Sequence, residues 1–266
     1  MTEHRARKRF GQNFLCDTGI IDRIIRAIGP QPGQALVEIG PGQGALTRHL
    51  ADSGVDLTLV ELDRDLIPIL QGQFAGNPKV TLIQADALKT DFSAFYPDSR
   101  LRVVGNLPYN ISTPLIFHLL AQHERVRDMH FMLQKEVVDR LAAAPNSKAY
   151  GRLSVMTQYY CQVESLFEVP PEAFSPRPKV TSAVVKLTPF EQLPHPARDA
   201  GLLQRLVRDA FNQRRKTLRN ALKQLATPEQ IEAAGVDPGA RPETLTLRDY
   251  VQLANTLPPA EPAPAK

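Results

Sequence analysis

Five short apolar runs, at residues 35–39, 57–61, 80–83, 101–104 and 129–133, recur along the chain, most of them separated by segments of helical periodicity. A strand that is apolar on both faces has to be covered on both, and crossover helices between successive strands make them parallel. The alternation therefore predicts an α/β fold on a mostly parallel sheet. The helices read from Leu46, His49 and Leu50 (starting near Ala45), from Leu66, Ile67 and Leu70, and from Leu115, Ile116, Leu119 and Leu120. An earlier helix, capped by Thr18 and carrying Ile20, Ile21, Ile24 and Ile25, stops at Gly29-Pro30. Helices near residues 135–143 and 153–160 follow the fifth strand. Two late β-rich runs, at 163–169 and 180–187, come close together and predict an antiparallel edge, completing seven strands.

Composition admits one such domain and a smaller companion. At 266 residues with 42% hydrophobic content, the chain can bury a substantial core. Residues 1–190 are expected to form the sheet domain, 191–257 a small all-α domain, and 258–266 a disordered Pro/Ala tail, with 189–196 as linker. The N-terminus is basic but runs into Phe10-Gly11-Gln12-Asn13 rather than an apolar signal core, and no stretch approaches the roughly 20 apolar residues of a membrane span. A cytoplasmic protein with no membrane partner is expected. Cys16 and Cys161 stand far apart without ligand spacing, so neither a disulfide framework nor a metal site is expected.

Polar residues mark the strand ends. The first strand runs into Glu38-Ile39-Gly40-Pro41-Gly42-Gln43-Gly44, a turn in which backbone approaches a ligand closely; Glu61 ends the next strand and can accept two hydroxyl hydrogen bonds. Asp86 ends the third and can accept an adenine amine, so a bound nucleoside is favoured. The fourth ends in Asn106-Leu107-Pro108-Tyr109. There the Asn106 side-chain oxygen and the Leu107 carbonyl can accept both hydrogens of an exocyclic amine, Pro108 stiffens the turn, and Tyr109 offers a ring for stacking on a base. Two plainer readings stand beside these: an ordinary Asn-x-Pro turn, and strand-end acids that merely cap or meet solvent. Gly40-x-Gly42-x-x-Ala45 also fits a loose dinucleotide fingerprint, but Pro41 is unusual within it and no catalytic Lys, Tyr or His pairing accompanies it.

The net charge is only +4, but the positive residues cluster. Over residues 202–223, Leu203, Leu206, Val207, Ala210 and Phe211 hold helical spacing, which resumes at Leu218, Ala221, Leu222 and Leu225. Arg205, Arg208, Arg214, Arg215, Lys216, Arg219 and Lys223 are opposed only by Asp209. Such a face suits a phosphate backbone; the alternative is a solvated helix surface.

Gln12-Asn13-Phe14-Leu15, the EIGPGQGALT run from Glu38, Glu61, Asp86-Ala87, NLPYNIST from Asn106, FSPRPKVTSAVV from Phe174 and FNQRRKTLRNAL from Phe211 together resemble the KsgA (RsmA) family of small-subunit rRNA adenine dimethyltransferases. The resemblance covers residues 10–253 and extends into the helical segment. It implies a class I, Rossmann-like S-adenosylmethionine-dependent methyltransferase domain with a small helical C-terminal domain. It also implies dimethylation of two adjacent adenosines near the 3′ end of 16S rRNA in the immature 30S subunit, by a monomer. On it, Asn13, Leu15, Gly40, Gly42, Glu61, Asp86, Ala87 and Asn106 become cofactor contacts, and Phe174 joins Tyr109 in sandwiching an unstacked base. Thr181 departs from the family, where many relatives carry Asp; a local change in hydrogen bonding at the strand start is expected. A 23S rRNA methyltransferase of the resistance type and a non-catalytic subunit-assembly factor are the competing readings.

Overall fold

The structure, a computed structural model, describes residues 13–213 and 215–258. The basic N-terminal run, Gln12, Arg214 and tail residues 259–266 lie outside them.

A two-residue strand, β1 (Phe14–Leu15), leads into helix α1 (Thr18–Ile28), which buries Ile21, Ile24 and Ile28. The cap of α1 is Asp17, not Thr18: the Asp17 carboxylate accepts the Ile20 N–H at 2.9 Å, leaving Thr18 as the first helical residue. Gly29 ends the helix in the left-handed conformation, φ 55°. Then come β2 (Ala35–Ile39), α2 (Thr47–Asp52), β3 (Asp56–Glu61), α3 (Ile67–Phe74), β4 (Val80–Gln84), β5 (Leu101–Asn106), α4 (Ser112–Leu120) and β6 (Val126–Gln134). Helix α2 starts two residues later than its apolar spacing predicts, because Gly44 sits at φ 86° in a turn that a helix cannot enter. After α5 (Lys135–Leu141) and α6 (Arg152–Tyr160), the strands β7 (Cys161–Val169), β8 (Phe174–Ser175) and β9 (Ser182–Pro189) complete the β-structure.

Seven strands form one sheet in the order β4-β3-β2-β5-β6-β9-β7, parallel from β4 to β6, with β9 antiparallel to β6. The short β1 pairs with β8, placing Leu15 opposite Phe174. Strand order reverses between β2 and β5, and a crevice opens at such a point beyond the carboxyl ends of the strands. Gly40 and Asn106 both stand there.

A buried ion pair anchors α1 to this sheet. The Arg102 guanidinium donates to both oxygens of Asp128, at 3.0 and 3.2 Å, and reaches the Ile28 and Gly29 carbonyls at the end of α1. Burial pushes nearby His130 down to about 4, so it is neutral near pH 7 and the Asp128 charge is answered by Arg102.

The chain divides into two compact units, residues 1–138 with 163–189, and residues 139–162 with 190–266. The division departs from the expected single boundary at 190/191, because residues 139–162 pack with the helical segment. Tyr150 Oη donates to the Leu245 carbonyl at 2.9 Å, the Asn146 N–H to the Glu243 carbonyl at 2.8 Å, and the Phe190 N–H to the Tyr160 carbonyl at 2.9 Å. The second unit adds α7 (Ala200–Asn212), α8 (Leu218–Ala221), α9 (Pro228–Ala233) and α10 (Leu247–Thr256). The basic segment is thus not one helix. It breaks after Asn212 and restarts behind Thr217, whose extended backbone caps α8.

Gly105 sets the spacing at the reversal point: a Cβ there would lie 2.6 Å from the Ile39 carbonyl oxygen and 3.0 Å from Leu107. Gly105→Ala is therefore expected to cost about 1–3 kcal/mol by forcing β2 and β5 apart. Thermal and urea unfolding measure it, and a variant as stable as the parent contradicts the steric account.

Candidate active site

The carboxyl ends of β2, β3, β4 and β5 open into a cavity of about 600 Å³, inside the range of small-molecule sites (~300–1,000 Å³). Asn13, Leu15, Gly40, Gly42, Glu61, Asp86, Ala87, Asn106, Leu107, Pro108, Tyr109 and Phe174 all line it. Motifs that lie far apart along the first 174 residues of the chain are brought to one cavity.

Glycines build the floor. Gly40 and Gly42 adopt φ 64° and 59°, and a Cβ on Gly42 would press on the Phe14 ring at 3.2 Å. The Gly40 N–H donates to the Val60 carbonyl at 2.9 Å, tying the turn to β3. Glu61, at the end of β3, is buried and held from two sides: Oε1 accepts the Asp63 N–H at 2.8 Å and Oε2 the Gly42 N–H at 3.3 Å. Burial pushes its carboxyl above the ordinary range, against those two backbone bonds. Each oxygen retains a lone pair for a further donor. Asp86 lies two residues past β4, in a turn whose Leu88 N–H donates to its Oδ1 at 3.0 Å.

Asn106 is the last residue of β5. Its Nδ2 donates to the Asn13 carbonyl at 3.1 Å, which fixes the amide and leaves Oδ1 as the acceptor. The Leu107 N–H continues the ladder onto the Met132 carbonyl at 3.1 Å, and the turn closes with Ile111 N–H to Pro108 carbonyl at 3.2 Å. Tyr109 is half-buried, and burial raises its phenol above the ordinary range. Phe174 is buried in the core cluster and also lines the cavity.

Sequence reading gave no task to Glu38, Thr47 or Asp63. Glu38 sits within β2 with 2% exposure and accepts the Thr47 hydroxyl at 2.7 Å. Its one sequence signal is an acid inside an otherwise apolar strand. Arg48, His49 and Asn110 also line the cavity without having been singled out. In the second unit Arg205, Arg208, Arg215, Lys216, Arg219 and Lys223 are all exposed, and Arg208 is engaged by Asp209 at 2.8 Å. Arg215 and Lys216 stand in the break between α7 and α8 rather than on a helix face.

Two solved structures share this architecture. A dimethyladenosine transferase from Plasmodium falciparum superposes with a TM-score of 0.77 at 26% identity, covering 90% of this chain and 95% of the other. The 23S rRNA methyltransferase ErmE does so with 0.71 at 26% identity, covering 92% and 99%. The fold is that of a class I S-adenosylmethionine-dependent methyltransferase. The profile of the ribosomal RNA adenine dimethylase family matches residues 3–258, and the chain belongs to that family. The ribosomal RNA small subunit methyltransferase A of Pseudomonas syringae pv. syringae (strain B728a) is 64% identical over 256 residues, 96% of each chain. No helix among the described residues is long and apolar enough to cross a membrane.

Burial pushes Glu38 up to about 7 from 4.5, against the Thr47 bond, with the Glu61 charge adding to the rise. A carboxyl raised on folding favours the protonated folded state, so its contribution is complete below pH 4.5 and lost as pH rises through about 7. The loss amounts to roughly 3 kcal/mol at most. Glu38→Gln is expected to flatten the fall in stability over that window, read from unfolding midpoints at a series of pH values. An unchanged profile would mean that Glu38 does not titrate there.

Proposed function

We propose that this chain dimethylates the exocyclic amines of two adjacent adenosines in a hairpin loop near the 3′ end of 16S rRNA, acting as a cytoplasmic monomer on the immature 30S subunit during ribosome biogenesis. The observation that carries the reading is that one cavity holds both a nucleoside cradle, at Gly40, Gly42 and Glu61, and an amine-accepting strand end, at Asn106 and Leu107. The cavity wall fits S-adenosylmethionine. It offers buried carboxylates at Glu38, Glu61 and Asp63, suited to a donor-rich cationic ligand, and glycines that let backbone approach closely. Asn13, Leu15, Gly40, Gly42, Glu61, Asp86, Ala87 and Asn106 would hold it, with Glu61 accepting ribose hydroxyls. When bound it supplies an electrophilic methyl group.

The remaining work falls to the protein. An adenine amine is a weak nucleophile because its lone pair is delocalised into the ring. Asn106 Oδ1 and the Leu107 carbonyl accept its two hydrogens, draw the nitrogen toward tetrahedral geometry and stabilise the positive charge that develops on it. No general base is needed, since the proton becomes strongly acidic after methylation and leaves to water. Tyr109 and Phe174 stack the unstacked base, each contact contributing ~1–3 kcal/mol. Arg205, Arg208, Arg214, Arg215, Lys216, Arg219 and Lys223 supply phosphate contacts.

The small-subunit substrate is favoured over a large-subunit one by the 64% identity with a relative of that name against 26% with ErmE. Labelled cofactor, small subunits from a strain lacking the modification and nucleoside analysis test it. Dimethyladenosine formed in large-subunit RNA instead would overturn it.

Asn106→Ala is expected to slow single-turnover methyl transfer at saturating cofactor by about 100-fold or more, while subunit binding persists. A near-parental rate leaves an assembly factor as the better reading. Replacing Arg215, Lys216 and Arg219 together by Ala is expected to weaken subunit binding and lower its salt slope by about two to three, at unchanged cofactor affinity. Binding equal to the parent at every salt concentration would assign RNA binding to another surface.

A further inference from the structure

The turn that carries Asp86 is tied to the helix that follows Asn106. Within the turn, the Asp86 carbonyl accepts the Thr90 hydroxyl at 2.8 Å and the Lys89 N–H at 2.9 Å, while Asp86 Oδ1 accepts the Leu88 N–H at 3.0 Å. His118 on α4 closes the turn from outside. Its Nε2 stands 2.7 Å from the Thr90 carbonyl oxygen, which can only accept, so Nε2 carries the proton and donates. The His118 ring meets Phe92 edge-on with centroids 6.0 Å apart, and just past the end of α4 the Gln122 side chain accepts the Ser93 N–H at 3.1 Å. The segment after β4 is thus held at both Thr90 and Ser93.

Helix α4 is a firm anchor because its start is built into the Asn106 turn. The Ile111 N–H donates to the Pro108 carbonyl at 3.2 Å, the Ser112 hydroxyl to the Tyr109 carbonyl at 3.2 Å and the Leu115 N–H to the Ile111 carbonyl at 2.9 Å, so the turn runs into the helix without a break in hydrogen bonding. Leu115, Ile116, Leu119 and Leu120 of the same helix are buried. From Ser112 to His118 it rises roughly 9 Å at ~1.5 Å per residue, and there it meets Thr90. Asp86 and Asn106, whose turns this helix joins, line one cavity. A turn fixed before its ligand arrives has little ordering left to do on binding.

We infer that His118 is a positioning residue for the cofactor, acting through Thr90 to set where the Asp86 carboxylate stands for the adenine amine of S-adenosylmethionine. The inference rests on the proposal that Asp86 contacts the cofactor. It makes one helix serve both partners of the reaction, the methyl donor through His118 and the acceptor through the turn at Asn106.

Calorimetric titration of the full chain with S-adenosylmethionine, arranged as a double-mutant cycle, tests it. His118→Phe keeps a ring against Phe92 and removes the donor, and it is expected to weaken binding by about three- to tenfold, the range of one neutral hydrogen bond. His118→Gln, whose amide N–H reaches about as far as Nε2, should restore the affinity. In an Asp86→Ala background His118→Phe should cost nothing further, whereas a histidine that only stabilises the fold would weaken binding by the same factor with or without Asp86. Parental affinity in His118→Phe, additive losses, or no recovery in His118→Gln would overturn the inference. If His118→Phe does not fold, Thr90→Val decides, because it removes the hydroxyl from the Asp86 carbonyl: parental affinity rejects it. Asp86→Ala alone separates the two proposals. A weakened Asp86→Ala beside an unaffected His118→Phe rejects only the part given to His118, and an Asp86→Ala that binds as the parent does rejects the Asp86 contact and the inference with it.

Discussion

The site depends on how closely two backbones approach where the sheet reverses its strand order. Gly105 on β5 leaves no room for a Cβ against the Ile39 carbonyl, and a Cβ on Gly40 would lie 3.9 Å from the Asn106 carbonyl oxygen. Because β2 and β5 meet there without side chains between them, the glycine turn and the Asn106 turn share one cavity rather than two. The other contributions follow from register: β3 brings Glu61 alongside, β6 extends the ladder under Leu107, and β1 brings Leu15 opposite Phe174.

Much of this was legible in the residue order. Apolar runs located the parallel strands because a doubly covered strand has to be apolar along its length, and the polar residues at the ends of the first four runs reached the cavity. Local competition was harder to read. Asp17 takes the cap from Thr18 because its carboxylate reaches the Ile20 N–H, and Gly44 delays α2 by a backbone angle that periodicity does not encode. The basic segment kept helical spacing on both sides of a break, so spacing alone could not reveal it. Residues 139–162 joined the second unit through the Tyr150, Asn146 and Phe190 contacts, which span long separations in sequence. Glu38 escaped notice for a related reason: its partner Thr47 lies on the next helix, and only the fold makes it a buried carboxyl.

Buried charge is handled in two opposite ways within one sheet. Asp128 receives a full guanidinium, so its charge is neutralised where it stands. Glu38 and Glu61 receive only a hydroxyl and backbone N–H groups; burial raises both, with the Glu61 charge adding to the rise of Glu38 and the Asp63 charge to that of Glu61. An incompletely answered carboxylate pair costs stability without ligand, and the same deficit becomes attraction for a cationic guest with hydroxyl donors.

The Arg102 contacts at the end of α1 also bear on the opposite end of the helix. At ~1.5 Å per residue, the eleven residues of α1 form a strut of roughly 16 Å. One end is bolted to the sheet through the Ile28 and Gly29 carbonyls, and just beyond the other stand Leu15 and Asn13, the latter gripping the Asn106 amide. The lip of the cavity is thus cantilevered from the amino-terminal ends of β5 and β6, and its alignment is borrowed from an ion pair that does not line the cavity.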